Sequence, residues 1–221
     1  MQNRIAMKKL RLTALCCLLA YGIFAQVDNV KQLTQYLFPD FAEGSVLQKS
    51  GTVVKTRLNY NTLTQEMIFK QGDQFLALDK LYDIDTVFLE NKKFVPAGEV
   101  FYEVGTLTPI SLFIQHASEI IPPGGETGYG KSQTSAITHV TDLKSSGRAY
   151  ALSLPDEYTF RNQTTYLLRK DGNFITVKNV KDVKKVFQAK ENLIDDFVKT
   201  NKISFKKDED VIKLIEFCNA D

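Results

Sequence analysis

The chain has 221 residues, with 28 Lys+Arg against 26 Asp+Glu, and 43% of its residues are hydrophobic. That balance excludes a disordered polyelectrolyte and a strongly basic nucleic-acid binder, and it supplies enough apolar surface for one ordinary core. With 3 cysteines, two of them adjacent at Cys16 and Cys17, a disulfide-stapled scaffold is also excluded.

Residues 1–25 read as a cleavable export signal. Arg4, Lys8, Lys9 and Arg11 form a basic start and Leu12–Ala20 an apolar core, and Ala25 is a small residue just before Gln26. The apolar run is too short, and wrongly flanked, for a membrane span. Bulky Leu15 before Cys16 argues against a lipid-attachment cysteine. The expected product is a periplasmic or secreted chain with no transmembrane span. It forms a single globular domain over 26–221, β-rich across 44–178 and helical across 179–221. The signal removes four basic and no acidic residues, which leaves 24 basic against 26 acidic side chains. Nothing in that charge favours nucleic acid or an anionic membrane. Cys218 alone remains, so stability rests on packing rather than a disulfide.

Asp28–Leu37 has the spacing of a short amphipathic helix, with Val30, Leu33 and Leu37 on one face and Pro39 as its stop. Period two then takes over. Ser45–Lys49 and Thr52–Tyr60 flank the Ser50-Gly51 turn, and Glu66–Lys70 and Gln74–Leu78 flank Gln71-Gly72-Asp73. Thr86–Glu90, Lys93–Pro96, Glu99–Val104 and Ile110–Ile121 continue an antiparallel meander. Ser135–Thr141 and Arg148–Leu154 are further strand candidates. Thr164–Arg169 and Phe174–Lys178 surround Lys170-Asp171-Gly172-Asn173, where Asp-Gly supplies the positive φ of a tight hairpin. Helical spacing returns at Val180/Val183/Phe187, Leu193/Ile194/Phe197/Val198 and Val211/Leu214/Ile215/Cys218.

Pro122–Ser135 holds the one string resembling a catalytic motif: Gly125, Gly130, Lys131 and Ser132 fit the phosphate-binding loop pattern. A working loop of that kind opens a helix, whereas Pro122-Pro123 precedes this one and Gln-Thr-Ser-Ala-Ile-Thr-His-Val-Thr follows it, poor helix material. A nucleotide-binding enzyme using Gly125–Ser132 is therefore the lesser alternative. A Gly-rich contact loop is the better reading, with Tyr129 and Lys131 its candidate contact residues. His116 and His139 are the 2 histidines, and no cluster of ligands at metal-binding spacing surrounds either. No G-x-S-x-G elbow is present. Asp83 and Asp85 share a strand-entry face where capping roles suffice, and Cys218 lies on an apolar helical stripe. No catalytic residue, cofactor or metal is expected. Phe88, Phe94, Phe101, Tyr102 and Phe113 crowd the meander, as a core or as an apolar groove for a lipid, peptide or partner strand.

Tyr36-Leu37-Phe38-Pro39-Asp40-Phe41, Leu58-Asn59-Tyr60-Asn61 and Glu66-Met67-Ile68-Phe69 resemble a family of exported, largely uncharacterised envelope proteins of Gram-negative bacteria. Ile84-Asp85-Thr86-Val87, Lys93-Phe94-Val95-Pro96, Ile121-Pro122-Pro123-Gly124 and Glu209–Ile215 continue the resemblance. It implies an exported chain with a strand-rich body and a Lys-rich helical tail, and offers no activity to carry over. The expected fold is α+β. A curved, mainly antiparallel sheet or partly open barrel is covered by a short N-terminal helix and a C-terminal helical group. The expected function is non-catalytic binding of an envelope protein or ligand. The alternative is a carrier of an apolar ligand in a sheet-lined cavity.

Overall fold

Alternating apolar residues carry most of the chain into strands, and the turn chemistry between them sets the register. The computed structural model describes residues 35–121, 150 and 159–220. The chain divides into two units, Met1–Gln32 and Leu33–Asp221, and every described residue belongs to the second. The first strands are β1 (Ala42–Gln48), β2 (Val53–Asn61), β3 (Glu66–Gln71) and β4 (Gln74–Ala77). After a 3₁₀ turn at Leu81–Asp83 come β5 (Ile84–Leu89), β6 (Lys92–Ala97), β7 (Val100–Val104), β8 (Ser111–Gln115) and β9 (Ser118–Ile121). The later strands are β10 (Thr159–Asn162), β11 (Thr165–Lys170) and β12 (Asn173–Val177). Three helices close the chain: α1 (Val180–Val186), α2 (Glu191–Asn201) and α3 (Asp208–Asn219).

Ten strands form one antiparallel sheet in the order β12-β11-β8-β7-β6-β5-β1-β2-β3-β4, and β9 pairs with β10 in a separate ribbon. Two meanders thus join side by side through β1 and β5. Gly44 permits that join: a Cβ there would meet the Phe88 carbonyl oxygen at 2.7 Å and Leu58 Cδ1 at 2.9 Å. The β11–β12 hairpin turns on Asp171 (φ 50°) and Gly172 (φ 81°), a two-residue loop of type I′ whose twist matches the strands.

One face of the sheet carries two apolar clusters. Leu58, Tyr60, Met67, Val87, Leu89, Phe94 and Phe101 form the first. In the second, Leu112, Ile114, Tyr166, Leu168 and Val177 pack against Val183, Ile194, Val211, Leu214, Ile215 and Cys218 of the helices. Asn219 locks α3 to the sheet. Its Oδ1 accepts from Ile110 N at 3.0 Å, and its Nδ2 donates to the Ile110 carbonyl at 3.0 Å. Asn179 caps α1 by accepting from Asp182 N.

The β2–β3 connection bends back to where β7 and β8 part. Phe101 N donates to Gln65 O, Gln115 Nε2 to Gln65 Oε1 at 2.6 Å, and Ser118 N to Thr62 O at 2.9 Å. The Tyr60 hydroxyl lies 3.1 Å from the Phe101 carbonyl and 3.0 Å from that of His116. These bonds curl the sheet without closing it into a barrel: among the described residues β4 and β12 remain its edges. Of the expected forms, a curved sheet or a partly open barrel, the structure shows an antiparallel sheet that is not closed into a barrel.

Two other expectations change. Residues 35–37, the end of the expected N-terminal helix Asp28–Leu37, are not helical. Tyr36 bridges to Asn61 and Leu37 N donates to the Tyr60 carbonyl, so these backbone groups serve the sheet, and the rest of that segment lies outside the described residues. The expected strand Ile110–Ile121 is two strands, broken at His116-Ala117 where β9 leaves the main sheet to pair with β10. Ser135–Thr141 and, apart from Tyr150, Arg148–Leu154 lie outside the described residues. Among the described residues no helix is long and apolar enough to cross a membrane.

Candidate functional site

A curled antiparallel sheet with one face packed should present polar side chains on the other. This one does not. β7 reads Val100-Phe101-Tyr102-Glu103-Val104, so Phe101 and Glu103 face the core while Tyr102 and Val104 face outward. Register carries the outward row across the sheet: Tyr102 pairs with Val95 of β6, and Val104 with Phe113 of β8. Phe174 of β12 meets Phe113 edge-on, ring centroids 5.4 Å apart, and Tyr102 at 6.0 Å. Together with Leu107 these residues line a groove of about 380 Å³. Phe174 is 50% exposed and Leu107 68% exposed. Two cations frame the groove: the Arg169 guanidinium sits 5.1 Å from the Phe113 ring centre, and Lys93 Nζ sits 5.9 Å from that of Phe88.

The groove ends at an open strand. Among the described residues β12 has β11 as its one neighbour in the sheet, and Phe174 and Ile175 are both exposed there. In a two-residue hairpin the closing pair, here Lys170 and Asn173, is hydrogen-bonded, and the bonds then alternate. The N–H and C=O groups of Phe174 and Thr176 therefore point to the unpaired side. An apolar edge strand of this kind is a template for another strand.

No family model, curated protein or solved structure matches this chain. Its own residues are therefore what its chemistry must be read from.

The inner face holds a second feature, a buried polar centre at the seam between the two apolar clusters. Glu103 pairs with Phe94 of one cluster and Ile114 of the other. Its carboxylate accepts from Lys92 Nζ at 2.6 Å on Oε1, and Oε2 lies 2.6 Å from His116 Nε2. Burial alone would push the Glu103 carboxyl upward, but the hydrogen bonds from His116 and Lys92 outweigh it and hold the group below the usual carboxylate range. Asp208, in the first turn of α3, brings a third ligand-type group to Glu103 and His116. The Tyr166 hydroxyl donates to Asp208 Oδ1 at 2.8 Å. Burial, then that bond, raises the Tyr166 phenol well above its ordinary value.

The residues that the sequence marks as candidates distribute unevenly. Tyr129, Lys131, the Gly125–Ser132 string and His139 lie outside the described residues. His116 is a core histidine, 4% exposed, held by Glu103. Cys218 is buried among apolar side chains, and burial pushes its thiol up to about 11, which makes it inert rather than nucleophilic. Asp83 and Asp85 are exposed at the start of β5. The aromatic meander splits by alternation: Phe94 and Phe101 fill the core, whereas Phe88 and Tyr102 belong to the outer face with Phe113. Phe174 is the groove residue that sequence reasoning misses, although the Asp171-Gly172 turn places it one residue into an edge strand.

Proposed function

We propose that this is an exported, non-catalytic protein of the cell envelope that binds an extended segment of a partner protein along β12. Three supports come from the chain itself: the export reading of residues 1–25, the envelope-family resemblance, and the exposed aromatic groove. The observation that carries the reading is Phe174, half exposed on an open edge strand and packed edge-on into the groove against Tyr102 and Phe113. Strand addition would satisfy the outward backbone groups of Phe174 and Thr176, and alternate side chains of the partner would reach the groove. Lys93 and Arg169 at its margin favour a partner segment in which apolar residues alternate with carboxylates.

A short peptide of alternating aromatic and acidic residues, fluorescently labelled, tests this directly. Anisotropy should report saturable binding that Phe174→Asp weakens at least tenfold (about 1.4 kcal/mol or more). Unchanged affinity in that variant, or no binding by the parent chain, defeats the reading.

One observation favours a carrier of an apolar ligand as the second reading. Val46, Val54, Phe69, Leu78 and Ile84 line a groove of about 410 Å³ elsewhere in the sheet, with Lys70 and Lys80 also in its wall. Tyr60, Phe94 and Phe101 fill the core beyond, each 1% exposed or less, so a ligand would occupy that groove alone. Displacement of an environment-sensitive dye by a medium-chain fatty acid, lost in Val54→Asp, would select this reading over the first.

A further inference from the structure

The polar centre beneath the sheet has the composition of a metal site that linear spacing conceals. Glu103 comes from β7, His116 from the break just after β8, and Asp208 from the start of α3, separated by 13 and 92 residues in the chain. One ligand atom from each lies within 4.8 Å of the other two. Glu103 and His116 are 3% and 4% exposed, so the site is built into the interior rather than onto a surface. Outer partners already orient the ligands: Lys92 holds the other Glu103 oxygen, and the Tyr166 hydroxyl holds Asp208 Oδ1. Glu103 and Asp208 bring two carboxylates to one imidazole, a donor set suited to a divalent cation.

From this geometry we propose that Glu103, His116 and Asp208 bind a divalent transition-metal ion of the zinc class, with a fourth position open to water. An imidazole nitrogen among the donors selects zinc-like ions over Ca²⁺ and Mg²⁺, which take oxygen shells. Donors of a tetrahedral zinc ion stand ~2.1 Å from the metal, hence about 3.4 Å from one another. The Glu103–His116 contact of 2.6 Å therefore opens, and the ion takes the place of that hydrogen bond. The ion joins β7, β8 and α3 at the seam of the two apolar clusters, so its role is to fasten the helical layer to the sheet.

Titration of the purified full chain with Zn²⁺ by calorimetry, and with Co²⁺ by visible absorption, tests the site. One ion should bind per chain with micromolar or tighter affinity, Co²⁺ should give the intense d–d bands of four-coordination, and Zn²⁺ should raise Tm. His116→Gln and Asp208→Asn should each weaken binding at least tenfold, while His139→Gln leaves it unchanged. Absence of saturable binding by the parent chain overturns the proposal, as does binding undiminished in both variants. Should either variant fail to fold, the Co²⁺ spectrum of the parent decides: bands without an imidazole-ligated, four-coordinate signature count against the site.

Discussion

Removing one hydroxyl, in Tyr60→Phe, isolates what curls the sheet. Tyr60 is fully buried and stacks on Phe94 with ring centroids 5.4 Å apart and planes 15° apart. Phenylalanine keeps that stacking and all the buried ring area. What it loses is the donor shared between the Phe101 and His116 carbonyls, at 3.1 and 3.0 Å, where β7 and β8 diverge. A net buried hydrogen bond is worth about 1 kcal/mol, and a carbonyl left without its partner adds ~1 kcal/mol or more. The expected loss is therefore about 2 kcal/mol, read as a lower urea midpoint at unchanged m-value. Tyr60→Ala should lose ~4 kcal/mol or more, because it also opens a cavity beside Phe94. A Tyr60→Phe variant within ~0.5 kcal/mol of the parent would refute the reasoning, since the curl would then rest on ring packing alone.

Two further outcomes follow from the same physics. Asn219→Ala deletes the two-bond clasp on Ile110 and should lower stability by ~1–3 kcal/mol, with amide exchange rising first in α3. Alkaline pH should destabilise the fold: burial raises the Tyr36, Tyr60 and Tyr166 phenols, so the unfolded chain ionises first. Their stabilising contribution is complete below the ordinary tyrosine value of ~10 and is lost as pH climbs above it, and Cys218 adds a similar loss beginning near pH ~9. Denaturant midpoints at successive pH values should fall across that window, less steeply in Tyr60→Phe, and a flat profile from pH ~9 to ~11 would contradict this.

The local grammar of the fold was legible. Period-two runs and Gly-containing turns placed β2 to β7, β11 and β12 within a residue or two, and helical spacing placed all three C-terminal helices. What was hidden is non-local. Nothing in the local pattern says that β1 inserts beside β5, because either meander could pair with its own neighbours; Gly44 is the trace of that close approach. Ile110–Ile121 reads as one strand because its alternation continues through His116, whereas the break arises where the β2–β3 connection takes up the space between β7 and β8. The polar centre was equally invisible, since its members meet only when α3 lies across the sheet. One signal was available: β7 is apolar on both faces apart from Glu103. An acidic residue alternating in phase with Phe101 announces a partnered core carboxylate, and outward Tyr102 and Val104 announce an apolar outer face. At the end of Asp28–Leu37 the opposite holds: residues 35–37 continue a helical spacing but serve a sheet bridge.

The most direct test of binding along β12 is amide hydrogen exchange of that strand with and without the alternating aromatic–acidic peptide. The amides of Phe174 and Thr176 point to the open edge, so they should exchange fast in the free chain and become protected at least tenfold at saturating peptide, while those of Ile175 and Val177, already bonded to β11, change little. Protection that appears elsewhere and leaves Phe174 and Thr176 exchanging as before would contradict binding by strand addition.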